Sequence, residues 1–178
     1  RKATIEDLDF LIELEEKSFP AFQQTTKANI KHAVLSDFQE ILLISSAPSS
    51  VPVGAVTLFK YPKSLRIYSI AILPGFQNKG IGDYLLKHVV EFANRFQYGR
   101  ILIEASIDND ALINWYEKRG FSALGLVKDY YAKGKDMMKM EFVTNSVTFS
   151  KKTSNIIVIN QPFKWTFADI NATVISVK

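Results

Sequence analysis

Cysteine is missing from all 178 residues of this chain, and histidine occurs only twice. The first absence excludes disulfides, thiolate metal sites and cysteine nucleophiles together. His32 and His88 fall on separate predicted helices, so neither a metal site nor a Ser-His-Asp triad has support. No apolar run approaches the ~20 residues of a membrane span, and no signal peptide is visible. The sequence therefore predicts a cytoplasmic protein with no membrane partner. Strong charge is lacking as well. The net charge is +4, and Lys151, Lys152, Lys164 and Lys178 against Asp169 place +3 of it in the last 35 residues. The nearly neutral body argues against nucleic acid as the main partner.

What is present is ordinary in bulk and specific in detail. With 47% hydrophobic and 22% charged residues the chain can build one substantial core, and it is too short for two full-sized domains. Thr4 to Asp7 reads as a capping box for a first helix with Leu8, Leu11, Ile12 and Leu14 on its apolar face, ended by Ser18 to Pro20. A second helix is predicted over 27–35. Residues 40–45 and 53–59 read as strands joined by the Ser/Pro-rich stretch 46–52.

Residues 66–73 are β-branched and aromatic and halt at Pro74 and Gly75, while Ile81, Leu85, Leu86, Val89 and Ala93 recur at helical spacing to about Phe96. Between them lie Gln77, Asn78, Lys79, Gly80, Ile81 and Gly82. A two-glycine loop leading from a strand into a helix start suits phosphate, because the first helical turn offers unpaired N–H groups and partial positive charge. Glycines at 80 and 82 let an anion approach without an intervening Cβ. The spacing is neither a Rossmann fingerprint nor a Walker loop.

Residues 100–105 are nearly continuously apolar, as in a central strand. Asp108 and Asn109 open a helix that runs to Lys118, Arg119 and Gly120. Two further strands, near 121–127 and 136–142, meet around 132–134. This order gives an α/β layered domain. From about Asn145 the pattern changes to short strand-like runs at 155–160 and 163–177. Such strands cannot stand alone, so they dock on the main domain or on a second subunit, or begin a further domain.

The loop at 77–82 resembles the pyrophosphate loop of the GNAT superfamily of N-acetyltransferases. A second stretch, from Ile103 through Glu104, Asn109, Trp115, Tyr116, Glu117, Lys118, Arg119, Gly120 to Phe121, is similar to the ribosomal-protein alanine N-acetyltransferases within it. Tyr130, Tyr131 and the run Asp136 to Met140 fit the same subgroup. The resemblance covers roughly residues 1–142. It implies an α/β fold with a mixed, mostly antiparallel sheet flanked by helices, residues 1–143 forming an acetyl-CoA-dependent N-acetyltransferase domain and 144–178 a β-rich C-terminal extension. It also implies acetyl-CoA as cosubstrate, no metal, and direct transfer to a primary amine, first among them a protein or peptide N-terminus.

Residue roles come from the same resemblance. Glu104 becomes the general base that takes a proton from the attacking ammonium, and a carboxylate on so apolar a strand is costly unless solvated or partnered. Tyr116 becomes the general acid toward the departing thiolate, although its apolar helix stripe with Leu112 and Trp115 also reads as plain core. Backbone groups of Ile70, Ala71 and Ile72 would pair with the pantetheine arm in a gap between the strands at 66–73 and 100–105. Gln77, Asn78, Lys79, Gly80, Ile81 and Gly82 would hold the pyrophosphate. Asn109 would bond the pantetheine arm or cap its helix. Tyr130 and Tyr131 would close over the acceptor. Position 83 is often basic in the family, and Asp83 departs from that. An acid there suits the helix dipole but weakens anion affinity locally.

Three rivals stand beside this reading: an acetyltransferase for a small amine such as a polyamine or amino acid, a non-catalytic acyl-CoA-binding or sensing module, and an interaction module whose function lies in the extension, which would then carry a homodimer contact.

Overall fold

A computed structural model of the protein describes residues 1–144. The expected β extension lies outside the described residues, apart from Thr144. The elements are α1 (Leu8–Ser18), α2 (Lys27–Leu35), β1 (Gln39–Ser45), β2 (Pro52–Tyr61), β3 (Ser64–Ile72), α3 (Ile81–Arg95), β4 (Arg100–Ser106), α4 (Asp110–Glu117), β5 (Ser122–Ala132) and β6 (Lys135–Val143). One six-stranded sheet runs β1-β2-β3-β4-β6-β5. Every neighbouring pair is antiparallel except β3–β4, which are joined through α3.

The elements match their sequence signals closely. The capping group at Thr4 first makes a 3-10 turn over Ile5–Asp7, and α1 begins at Leu8. Its Asp7 carboxylate accepts from the Thr4 N–H at 2.8 Å and from Nη1 and Nη2 of Arg1, whose hydrogen bonds are the main hold on its pKa at about 2. Thr26 caps α2 by accepting from the Asn29 N–H at 3.3 Å. Gly120 turns the chain out after α4 with φ +85°, and the Phe142 ring lies 3.3 Å from where a Cβ would stand. The predicted helix over 108–120 is thus shorter, at Asp110–Glu117, with the last residues forming turns.

Two apolar layers cover the sheet. On one face α3 and α4 bury Leu85, Leu86, Val89, Leu112 and Tyr116 against Ile70, Ile72, Ile101 and Ile103. On the other, α1 and α2 bury Leu11, Leu14, Ile30 and Ala33 against Ile41, Leu43, Ala55 and Ala71. Burial of side chains this size contributes roughly 1.5–3 kcal/mol each, which is how a sheet with one short parallel seam holds together. At the outer edge β5 is exposed along most of its length, including Leu124, Leu126 and Val127.

Two irregularities interrupt the ladders on either side of β3. The parallel ladder between β3 and β4 consists of Ser64–Arg100, Leu65–Ile101 and Arg66–Leu102 and then stops, although both strands continue. The strands therefore fork beyond residues 66 and 102. On the other edge of β3, Thr57 pairs with Ser69 but Leu58 with Ile67, so Tyr68 is an extra residue in a β-bulge.

Candidate active site

The fork is the geometric centre of the site. Beyond it, the edges of β3 and β4 that face each other have no ladder partner, so Ile70, Ala71 and Ile72 line an open seam. The Ile72 carbonyl accepts from Gln77 Nε2 at 2.9 Å, which ties the loop after β3 to the strand end. That loop contains Asn78 with φ 60° and Gly80 with φ 75°, and Gly80 is the N-cap of α3. A glycine there meets the positive φ at no steric cost and leaves the first-turn N–H groups without a side chain over them. Lys79 departs from its expected direction. Its ammonium folds back to the Gly75 carbonyl at 2.9 Å and sits 5.4 Å from the Phe76 ring centre.

Asn109 caps α4: its Oδ1 accepts from the Leu112 N–H at 3.0 Å. The local, capping use of this residue is therefore present, and its Nδ2 has no partner among the described residues. Asp83 does not stand alone in the first turn of α3. It accepts a short charge-assisted hydrogen bond from Arg119, a residue to which the sequence alone assigns no role.

Tyr116 is fully buried, and its hydroxyl has no hydrogen-bond partner among the described residues. Its ring packs edge-on against Trp115 and Phe121 in the layer that also holds Ile70, Ile72, Ile103 and Ala105. Burial pushes the phenol pKa well above its ordinary value, so the hydroxyl keeps its proton across the physiological range. An orphaned buried hydroxyl costs roughly 1–3 kcal/mol.

Glu104 projects to the opposite face. Along β4 its neighbours Ile103 and Ala105 are buried in the α3–α4 layer, and the strand's alternation sends Glu104 the other way. There it forms a short ion pair with Arg66 and accepts from the Tyr130 hydroxyl at 2.8 Å. Arg66 belongs to the last ladder pair and Glu104 lies two residues past it, so the cluster sits at the fork. Sequence reasoning misses Arg66. The bonds to Arg66 and Tyr130 supply the partners that a carboxylate on an apolar strand requires.

The two tyrosines reach this cluster through a second bulge. Four residues of β5, 128–131, stand opposite Asp136 alone, with Asp129 at φ 53° and its N–H on the Asp136 carboxylate at 2.9 Å. Tyr130 and Tyr131 contact each other edge-on at 5.0 Å. Burial, and then the Glu104 carboxylate, raise both phenols, Tyr131 up to about 12. The Tyr131 hydroxyl and Arg66 Nε are both buried without a partner among the described residues.

On this same face a cavity of about 240 Å³ lies between α1, α2 and strands β1 to β3. Leu11, Leu14, Glu15, Asn29, Phe59 and Tyr68 are among its walls. The Arg66 guanidinium lies 6.0 Å from the Phe59 ring centre and 5.8 Å from that of Tyr68, so the Glu104 cluster neighbours two of the cavity's walls without itself lining it. Among the described residues no helix is long and apolar enough to cross a membrane, and no group of three or more His, Cys, Asp or Glu could hold a metal ion.

Residues 8–121 match the family model described as the acetyltransferase (GNAT) family. The N-alpha-acetyltransferase RimI of Mycobacterium tuberculosis is 34% identical over 70 residues, 39% of this chain and 42% of that protein. The match thus spans less than half the length of that relative. An N-alpha-acetyltransferase of Sulfolobus acidocaldarius is 26% identical over 150 residues, 79% of this chain and 89% of that protein. The crystal structure of the ribosomal-protein-S18-alanine N-acetyltransferase from Escherichia coli superposes with a TM-score of 0.74 at 16% identity, covering 88% of this chain and 96% of that one, and so shares the fold. With a forked mixed sheet, a glycine-started helix beside the fork and a family match over most of its described length, the chain belongs to the GNAT family of acetyl-CoA-dependent N-acetyltransferases.

Proposed function

We propose that this protein moves the acetyl group of acetyl-CoA directly to a primary amine, and that the amine is the N-terminus of a protein or peptide. The observation that carries the reading is the pair of polar groups on opposite faces of one fork: an orphaned, protonated Tyr116 hydroxyl beneath it and the Glu104 cluster above. The fit to the cosubstrate is physical. The seam beyond Arg66 offers strand edges of β3 at Ile70, Ala71 and Ile72, the loop 77–82 offers uncapped N–H groups, and Asn109 Nδ2 is free to donate.

Acetyl-CoA supplies the activated acyl group as a thioester. This chain's residues then divide the remaining work. The cavity face admits the amine, and Glu104 accepts the proton that the ammonium must lose, directly or through a water molecule. Arg66 and Tyr130 fix the carboxylate's orientation, and Tyr131 closes beside it. Backbone N–H groups along β3 face the oxygen on which charge develops. As the C–N bond forms and the C–S bond breaks, the Tyr116 O–H donates to sulfur. Its raised pKa keeps the proton on the phenol oxygen until thiolate charge has developed on sulfur.

The peptide acceptor draws support from the relatives named as N-alpha-acetyltransferases and from Arg66. A half-buried guanidinium near two walls of the cavity is a poor neighbour for a polyamine carrying several cations, whereas its partnerless Nε suits a peptide carbonyl. A second reading is favoured by the Arg66 ion pair: Glu104 is held as a structural partner, and solvent takes the proton.

The test is thiol release from acetyl-CoA by the wild type, Glu104→Gln and Tyr116→Phe, with N-terminal peptides, spermidine and free amino acids as acceptors. Turnover on peptides that falls at least about tenfold in both variants supports the assignment. Loss in Tyr116→Phe alone supports the structural role of Glu104. Turnover only on spermidine would overturn the peptide reading. Coenzyme binding with no turnover on any acceptor would make the protein a sensor.

A further inference from the structure

The acid in the first turn of α3 is the feature that fits an anion site least. Asp83 lies three residues after the N-cap Gly80, where a carboxylate stabilises the helix but repels a phosphate placed at the same N–H groups. The structure answers it with Arg119, 36 residues away in sequence and just beyond the end of α4. Arg119 Nε donates to the Asp83 carboxylate, and Nη1 donates to the Trp115 carbonyl at 2.8 Å. The guanidinium lies flat enough to bring its centre 4.0 Å from the Trp115 ring centroid. Its backbone N–H also bonds the Tyr116 carbonyl at 2.9 Å. The Arg119 side chain is only 10% exposed, so it is seated rather than waving in solvent.

We infer that Arg119 is a positioning residue of the coenzyme site, one that cancels the Asp83 charge at the start of α3 and couples that helix to the segment carrying Tyr116. The inference rests on the proposed reading of residues 77–82 as the pyrophosphate loop. Its physical content is a division of labour. The cation takes up the carboxylate, so the field of the uncapped N–H groups is left for a polyanion. The same cation sits at the C-terminal end of α4, where it also satisfies a carbonyl and complements the helix dipole. One side chain thereby links the loop that would bind phosphate with the helix turn that carries Tyr116. A lysine could not reproduce the arrangement, because the planar fork serves a carboxylate, a carbonyl and a ring face together.

Charge cancellation and simple tethering of two helices lead to different outcomes. If charge cancellation matters, Arg119→Met, which retains bulk over Trp115, harms coenzyme binding because Asp83 is left bare. Removing that bare charge should then restore binding. If the pair is only a tether, Asp83→Asn is as harmful as Arg119→Met, and the double variant recovers nothing.

The experiment is equilibrium binding of acetyl-CoA, and of S-acetylpantetheine, which lacks the pyrophosphate, to the full chain by calorimetry, with thermal unfolding as a check on folding. Arg119→Met should weaken acetyl-CoA about tenfold and change S-acetylpantetheine less than about twofold. Asp83→Asn with Arg119→Met should return acetyl-CoA to within about threefold of wild type, and Asp83→Asn alone should bind at least as well as wild type. An Asp83→Asn variant that loses about tenfold on its own, a double variant no better than Arg119→Met, or equal weakening of both ligands overturns the inference. Should the wild type fail to prefer acetyl-CoA over S-acetylpantetheine, the pyrophosphate loop itself is refuted and the inference falls with it. Arg119→Met that does not fold leaves the decision to Asp83→Asn, which removes no buried ring contact.

Discussion

The two faces of this sheet are built to different standards. Under α3 and α4 the layer is closed: Leu86, Val89, Ile101, Ile103 and Tyr116 are each at most 2% exposed. Under α1 and α2 the layer is interrupted by a 240 Å³ cavity and by a cluster of one guanidinium, one carboxylate and two phenols. Among the described residues the closed layer holds one orphaned hydroxyl, that of Tyr116, whereas the open face holds a network. On the proposed reading, the face toward acetyl-CoA can be finished in the core, whereas the face that admits the amine keeps space, charge and adjustable hydroxyls.

The sharpest way to break this comparison is a matched pair of core truncations. Leu86→Ala on the closed face should cost about 3–5 kcal/mol of unfolding free energy, and Leu14→Ala, whose site already borders a cavity, nearer 2 kcal/mol. Urea melts measure both, and equal costs would mean that the cavity is a packing detail. Next in size is Gly80→Val. Forcing a β-branched residue to φ 75° costs about 1–3 kcal/mol, so acetyl-CoA affinity should drop ten- to hundredfold while unliganded stability changes by no more than that strain.

The open face is tested by Phe59→Ala, which removes a cavity wall that also flanks Arg66. Steady-state kinetics should show the KM for the acceptor rising about tenfold with the KM for acetyl-CoA unmoved. A rise in both would place the cavity outside the acceptor route. The smallest expected effect is in titration. Because burial and Glu104 raise the Tyr131 phenol to about 12, it favours the folded state fully below the ordinary value near 10 and loses that contribution as pH climbs through about 12. Tyrosinate absorbance of the wild type minus Tyr131→Phe should therefore show no ionisation near pH 10. A step there would indicate an exposed ring.

Sequence legibility divides along the same line. The loop at 77–82, the helix stripe after it and the central strand at 100–105 are local patterns, and the structure forms each within a residue or two. The fork is implied by resemblance and appears as a ladder of three pairs. What cannot be read is whatever depends on partners brought together from afar. Arg66 meets Glu104 across 38 residues, and Arg119 meets Asp83 across 36. Arg66 and Arg119 each look alone like a solvated charge. The Tyr68 bulge and the 128–131 bulge are likewise properties of pairing register, not of either strand. Asp83 shows the limit from the other side. The departure from the family's usual residue is visible in the sequence, but its compensation is not.

The three-pair ladder between β3 and β4 also has a bearing on motion. Amides on the inner edge of β3 past Arg66 have no strand partner, so in hydrogen exchange they should behave like loop amides although they sit in the middle of the sheet. A ligand that lies along that edge would act as the absent neighbour. Its occupancy would then be written into exchange rates at Ile70 to Ile72, and into a melting temperature that climbs with ligand concentration as mass action requires. The sheet would thus report its own saturation, with the fork behaving as a half-closed zipper whose remaining teeth belong to the substrate.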